Sequence, residues 1–586
     1  MLYGAMLQSI TSRCRRIRTL VCILICIVCA VLICEKFADG VKFDDQTIGE
    51  RIFEERVLKL IKTYNIPSIS ACIVKRDKNG IWRIAWKGAY GKRSAVFPVL
   101  KADTETIYAI ASLTKVFTAT AVMQLVDKGL ISLDEDINTY LPFTVRNPGL
   151  DYEHEPIPFI TVRDLLSHRS GLPPTPPEFF HKHRNIMKQD FGVFMSIDEL
   201  KNYLSRKESW AHTTDEGGEG SVYYQPGEVY CYSNVGYMIL GFIIEGVINK
   251  DIPSTGERIT WQDYFREHIF KPLNMRRTKF YWDYIWKFSN EAQGYIEKQY
   301  VSILNPDILQ DQGGKPRSGS AFYAPGVPIP ETILVPHKSP IINPTLIGAR
   351  YSAGGPAGQI LSTPSDVASF LIVHLNHGKG YVRDDNGYIV YDAQNKPQEV
   401  RILSEDGVEA MHNIEDNRLY TLKPKADAFN ATGLSRLTGY GMGWARINLG
   451  GRYWNYPWNP GLNKSLKVDW EALAKSGIKR KPVISTGGVD TGGGLEAEGH
   501  SGETAGFHSG MYRISDDLAV IYIINVDTTG EVHDESRIQP KRFTHYTSVM
   551  DGEAELKDFD GALPHNIIKL SEIEHLLIQK AASLKD

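Results

Sequence analysis

Ala111-Ser112-Leu113-Thr114-Lys115-Val116-Phe117-Thr118-Ala119 reads as the opening turns of a buried helix with a serine and a lysine on its first face. Residues three apart on a helix share a face, so Ser112 and Lys115 lie side by side near its positive end. A serine hydroxyl is a poor nucleophile until a base takes its proton. A desolvated lysine can be that base, because burial lowers its pKa. The run continues Val116-Phe117-Thr118-Ala119-Thr120-Ala121-Val122-Met123-Gln124-Leu125-Val126, apolar nearly all round, as a buried helix is. Gly129 ends it. Ser112 is therefore the candidate covalent nucleophile.

The same four-residue pattern recurs at Ser476-Gly477-Ile478-Lys479, among Lys475, Arg480 and Lys481 with Pro482 behind. Nothing there resembles a buried helix, so that copy marks what chance produces. The chain has 586 residues, room for a large core and two or three subdomains. Its formal net charge is -3, with no long basic run beyond the N-terminus, so nucleic acid is not an expected partner. Five of seven cysteines precede residue 35, leaving Cys72 and Cys231 for the body. This is no disulfide scaffold. The pair reads as two separate buried thiols, with one bridge as the alternative.

Residues 1–18 carry Arg13, Arg15, Arg16 and Arg18 and no acid, and 20–34 are uninterrupted apolar sequence. Three readings stay open: a signal-anchor, a cleaved signal peptide and a mitochondrial presequence. The first is preferred and makes 1–45 a basic plus transmembrane segment, with a lumenal or extracellular body. The sequons at Asn430 and Asn463 fit that side of a membrane.

Residues 50–64 read as an amphipathic helix and 68–74 as a buried strand. Asp77-Lys78-Asn79-Gly80 is a turn leading into a second strand at 81–86. Thr161 is an N-cap for the helix through Leu165-Leu166, which Gly171 and Pro173 are expected to end. His168 reads as a structural histidine hydrogen-bonding that closing loop, with catalysis the alternative. Tyr232 and Asn234 leave a turn just before another buried helix, and residues two apart on a loop can point into one cavity. Residues 261–270 are a helix and 290–345 a loop-like lid. Gly354-Gly355-Pro356-Ala357-Gly358 reads as tight backbone packing before a capped helix at 364–371. His500 opens a strand suited to lining a cleft, where extended substrate can pair. Strands follow at 508–514 and 518–525, and 567–585 close the chain as a helix. Insertions at 173–225, 290–345 and 450–498 interrupt the frame.

Ser112-x-x-Lys115, Tyr232-x-Asn234 and His500-Ser501-Gly502, in this order, resemble the serine β-lactamase and penicillin-binding protein family, class C-like branch. Further matches are Leu165-Leu166-Ser167-His168-Arg169-Ser170-Gly171-Leu172-Pro173, Phe270-Lys271-Pro272-Leu273-Asn274-Met275 and Tyr440-Gly441-Met442-Gly443-Trp444. The resemblance implies an α/β (α+β) fold, an antiparallel sheet flanked by helices with an inserted helical subdomain. Residues 46–110 and about 430–586 would form the sheet and 111–430 the mainly helical part. It implies a serine hydrolase working through an acyl-enzyme on a small amide, peptide or ester. Ser112 attacks, Lys115 and Tyr232 share the proton work with Tyr232 the base, and Asn234 positions substrate and Lys115. The backbone N–H groups of Ser112 and Glu503 form the oxyanion hole, and His500, Ser501 and Gly502 bind substrate. No metal or cofactor is implied. Where penicillin-recognising members carry Lys-Thr-Gly, this chain has His500-Ser501-Gly502, and a neutral histidine grips a carboxylate less well. The alternative is a weak or inactive binding scaffold that self-assembles as a homo-oligomer.

Overall fold

The computed structural model describes 45–172 apart from 65 and 95–98, and 197–280 apart from 211, 214–220, 229 and 254. It further describes 295–299, 332–336, 355–414 apart from 385–386, 437–449, 495–526 apart from 505–506, and 565–584. The chain divides into two compact units, Met1–Arg56 and Val57–Asp586. The 20–34 run, the two sequons and the Ser476 pattern lie outside the described residues. Among those described, no helix is long and apolar enough to cross a membrane.

In chain order the elements that matter are α1 (Asp45–Thr63), β1 (Ser68–Arg76), β2 (Trp82–Ser94), β3 (Leu100–Lys101) and β4 (Tyr108–Ala109). Next come α2 (Thr114–Asp127), α3 (Val162–Leu166), α4 (Asn234–Ile248), β5 (Lys279–Phe280), β6 (Ile360–Ser362) and α5 (Pro364–Leu375). The C-terminal part holds β7 (Leu437–Tyr440), β8 (Ala445–Leu449), β9 (Leu495–Thr504), β10 (Phe507–Ser515), β11 (Leu518–Ile524) and α6 (His565–Ser583). One eight-stranded sheet runs β7-β8-β9-β10-β11-β1-β2-β3, antiparallel at every pairing. The N-terminal hairpin thus closes against the last strands, with Ile69 opposite Ile524 and Lys75 opposite Leu518.

Every residue of β11 and the first seven of β1 are buried, so these central strands are covered on both faces. α5 packs on β1, β2 and β11, and α6 on β11. Asp77 accepts from the backbone of Asn79 and Ile81 and Gly80 takes φ 81°, the turn that Asn-Gly announces. α2 is buried from Thr114 through Leu125, as its unbroken apolar run requires, and Phe117 stacks on Phe370 of α5 at 3.7 Å between ring centroids. Gly129 takes φ 66° just beyond its end.

Two expectations change. Thr161 caps α3 through a reciprocal box with Asp164, but α3 stops at Leu166. The left-handed turn falls on His168, at φ 59°, before Gly171 is reached. Within the expected lid, Tyr295–Gln299 and Thr332–Pro336 pair as an antiparallel ladder. Cys72 and Cys231 are separate buried thiols, both pushed up to about 12 by burial.

Candidate active site

Ser112 sits in a single 3-10 turn, Ala111–Leu113, rather than inside α2. Ala111, just before it, takes φ 48°, a conformation that costs an L-residue about 1–2 kcal/mol. Such strain persists only where the surroundings dictate it. Here they do. Ile110 N–H donates to the Ile360 carbonyl at 3.1 Å, and Ile360 N–H donates to Thr114 Oγ1 at 3.2 Å. From the other side, Ser509 Oγ donates to the Ile110 carbonyl at 2.8 Å. The turn is pinned between β6 and the β9–β10 pair.

Lys115 is fully buried, one turn on. Its Nζ lies 3.0 Å from Ser112 Oγ and donates to the Ala357 carbonyl at 2.7 Å. It stands 4.8 Å from the Tyr232 ring centroid and 5.7 Å from that of Tyr237. Among the described residues no carboxylate offsets its burial, which holds the ammonium pKa well below 10.5. A neutral amine has one lone pair to accept the Ser112 proton and N–H groups to donate to Ala357.

The Tyr232 hydroxyl also hydrogen-bonds Ser112. Burial pushes its pKa up, with the Ser112 bond opposing only in part. Tyr232 therefore stands as a neutral phenol. Burial disfavours the charged form of Lys115, so little ammonium charge is at hand to acidify the phenol. A neutral phenol can pass a proton on but has no charge with which to take one, so the surroundings of Tyr232 do not favour it as the base.

Asn234 opens α4 one residue after Ser233, whose side chain caps that helix. Among the described residues its amide makes no hydrogen bond, and Lys115 is held by Ala357 instead. On β9, pairing with β8 ends at Gly499, so Ser501 to Glu503 pair only with β10 and present their other edge to the Ser112 turn. A side chain at Gly502 would place its Cβ 2.1 Å from the Ile110 carbonyl oxygen and 3.0 Å from Ser112 N. Only glycine lets this strand come so close. The backbone of β9 thereby lies directly against the Ser112 turn.

His500 is placed otherwise than a carboxylate-gripping residue. It is 4% exposed, its Nε2 lies 3.0 Å from Tyr440 Oη, and its Nδ1 meets the Ser501 carbonyl. Burial first, and Lys115 second, push its pKa down to about 3. The ring is neutral, donating from Nδ1 and accepting from Tyr440. Both nitrogens are occupied within the protein.

Sequence reasoning missed the Ala357 carbonyl, since a backbone oxygen carries no residue signature. It also left Tyr237 unassigned, whose hydroxyl donates to the Leu166 carbonyl at 2.9 Å and flanks Lys115. Among the described residues no group of three or more His, Cys, Asp or Glu is arranged to hold a metal ion.

The sequence pattern of the beta-lactamase family matches residues 53–540. A penicillin-binding protein of Bacillus subtilis (strain 168) is 26% identical over 310 residues, 52% of this chain and 56% of that protein. A putative D-alanyl-D-alanine carboxypeptidase of Escherichia coli (strain K12) is 26% identical over 393 residues, 65% of this chain and 68% of its own length. The chain thus spans little more than half of the Bacillus relative. Among solved structures, an octameric penicillin-binding protein homologue from Pyrococcus abyssi aligns over 87% of this chain and 78% of its own, at 20% identity and a TM-score of 0.47.

Proposed function

We propose, from the premise that this chain belongs to the beta-lactamase family, that it is a serine hydrolase acting through an acyl-enzyme on a small amide, peptide or ester. The observation that carries this is a buried lysine 3.0 Å from Ser112 Oγ, which itself sits in a strained turn. Carboxypeptidase naming among the similar proteins supports amide or peptide chemistry.

In the acylation step Ser112 Oγ bonds to the substrate carbonyl carbon and its proton moves to Lys115 Nζ. The carbonyl oxygen takes the negative charge against the N–H groups of Ser112 and Glu503. Each such donor is worth roughly 100- to 1,000-fold in rate. When the bond to the leaving group breaks, the proton on Lys115 passes through the Tyr232 hydroxyl to that group. Deacylation reverses the path: water gives a proton toward Lys115 and adds to the acyl carbon, and Ser112 leaves protonated. General acid–base transfer of this kind contributes about 100- to 10,000-fold.

The neutral, internally bonded His500 gives a substrate carboxylate no cation at that place. The reading therefore favours substrates recognised without one, and weak turnover of β-lactams. The basic, acid-free start and the apolar run at 20–34 support attachment to a membrane with the body on its lumenal or extracellular side. Alkaline extraction and protease protection test that part. For the chemistry, intact-protein mass is measured after a fluorophosphonate probe, beside Ser112→Ala. One adduct on the wild type and none on the variant is expected. A folded wild type that takes no adduct overturns the hydrolase reading.

A further inference from the structure

The loop carrying Tyr232 is fastened along its length to the turn after α3. Gly227 N–H donates to the Arg169 carbonyl at 2.8 Å, and Arg169 Nη2 donates to the Gly227 carbonyl at 2.6 Å. Farther along, Cys231 N–H donates to the His168 carbonyl at 2.7 Å. Two residues later Ser233 N–H donates to His168 Nδ1 at 3.0 Å. One residue thus holds the backbone on both sides of Tyr232. Its ring also packs against the Tyr232 ring, with centroids 4.2 Å apart and planes 37° from parallel.

We propose that His168 is the positioning residue for Tyr232, fixing the height and direction of its hydroxyl against Ser112. This deepens the hydrolase reading and rests on it for its catalytic consequence. Three features of His168 suit the task. It is 1% exposed, so water does not compete for Nδ1. Burial, then Lys115 and His500, hold its pKa well below 6.5, leaving Nδ1 a lone pair for Ser233. Its φ of 59° turns the chain so that carbonyl and ring reach the same three-residue loop. Among the described residues Nε2 has no hydrogen-bond partner; the Tyr237 and Tyr440 rings stand 5.0 and 4.9 Å away between centroids. A histidine kept merely to satisfy its own polar atoms would not leave one orphaned in this way. Its geometry is spent on the loop.

Substitution chemistry makes the proposal sharp. Asparagine places an acceptor oxygen where Nδ1 stands and tolerates the left-handed conformation; glutamine carries its acceptor one atom farther out, and alanine has none. The full chain is tested as wild type, His168→Asn, His168→Gln, His168→Ala, Tyr232→Phe and the His168→Ala/Tyr232→Phe double variant. Fluorophosphonate labelling rates are read together with crystal structures. His168→Asn should label within about threefold of wild type, while His168→Gln and His168→Ala fall about 30-fold or more, the scale of a misplaced reacting group. The double variant should label no more than about twofold slower than Tyr232→Phe alone, because one residue acts through the other. In the crystal structures the Tyr232 ring should move in the Ala and Gln variants and return in Asn.

Additive losses, an Asn variant as slow as Gln, or an unmoved Tyr232 ring overturns the proposal. If His168→Ala does not fold, the Asn–Gln pair gives the same comparison. A wild type inert to the probe removes the hydrolase reading, and the Tyr232 positions then decide the positioning claim alone.

Discussion

The Lys115 amine and the Ser112 hydroxyl stand 3.0 Å apart, with no carboxylate beside the lysine among the described residues and its second bond going to the Ala357 carbonyl. An amine so placed is a base only while neutral. Arginine at 115 keeps its charge at any pH and cannot take the Ser112 proton. Lys115→Arg should lower the fluorophosphonate labelling rate about 1,000-fold, within the range of general-base catalysis. In the wild type the same rate should fall as pH drops through the depressed lysine pKa. Labelling that is flat across that acid limb would argue against a lysine base.

The same burial makes a stability prediction of definite sign. Folded Lys115 has its pKa held below 10.5, so between that lowered value and 10.5 the unfolded chain binds a proton that the folded chain does not. Stability from this group is complete above the unfolded value and declines as pH falls through the window. The slope is about 1.4 kcal/mol per pH unit. Lys115→Met should remove that slope. Urea titrations of both proteins at pH 7.5 and at pH 9.5 measure it, as the difference between their pH dependences.

Local chemistry made much of this legible in advance. The unbroken apolar run after Lys115 announces a buried helix, Asn79-Gly80 a hairpin, and Thr161 a helix start, because each depends on residues close in sequence. The order of Ser112, Tyr232 and His500 carried the family. What escaped was set at long range. The Ala357 carbonyl lies 242 residues from Lys115 and carries no side-chain signal. His500 looked like a substrate contact because its burial depends on Tyr440, 60 residues away on β7. The end of α3 was misplaced because a histidine takes the left-handed turn that glycine usually marks. Tyr232 reads as the base by resemblance, whereas its burial in the packed interior raises its pKa and keeps it a neutral phenol.

Gly502 separates the catalytic demand from the stability demand. A methyl group there meets the Ile110 carbonyl oxygen at 2.1 Å and approaches Ser112 N at 3.0 Å. Either β9 withdraws from the Ser112 turn or the turn loses its shape. Gly502→Ala should lower labelling about 100-fold, the consequence of shifting a reacting group or an oxyanion donor by about an ångström. Its melting temperature should fall far less than that loss of rate suggests, because the β9–β10 ladder remains. Labelling within a few-fold of wild type would show that the strand need not approach so closely.

His500 gives the acid side of the stability profile. Its folded pKa is pushed down to about 3, from an ordinary value near 6.5, by burial and then by Lys115. Between those values the unfolded chain takes up a proton that the folded ring refuses. The contribution is therefore present above about pH 6.5 and is lost steadily as pH falls toward 3. His500→Gln removes the titration while offering Tyr440 and Ser501 an amide. At pH 7 the variant should be less stable, by about 1 to 3 kcal/mol for a buried bond imperfectly replaced. Toward pH 4.5 that gap should narrow, since only the wild type pays for the excluded proton. Denaturant titrations of the two proteins at pH 7 and pH 4.5 measure the gap directly. A gap that stays constant would mean that His500 already carries its proton in the folded state, with Tyr440 accepting rather than donating.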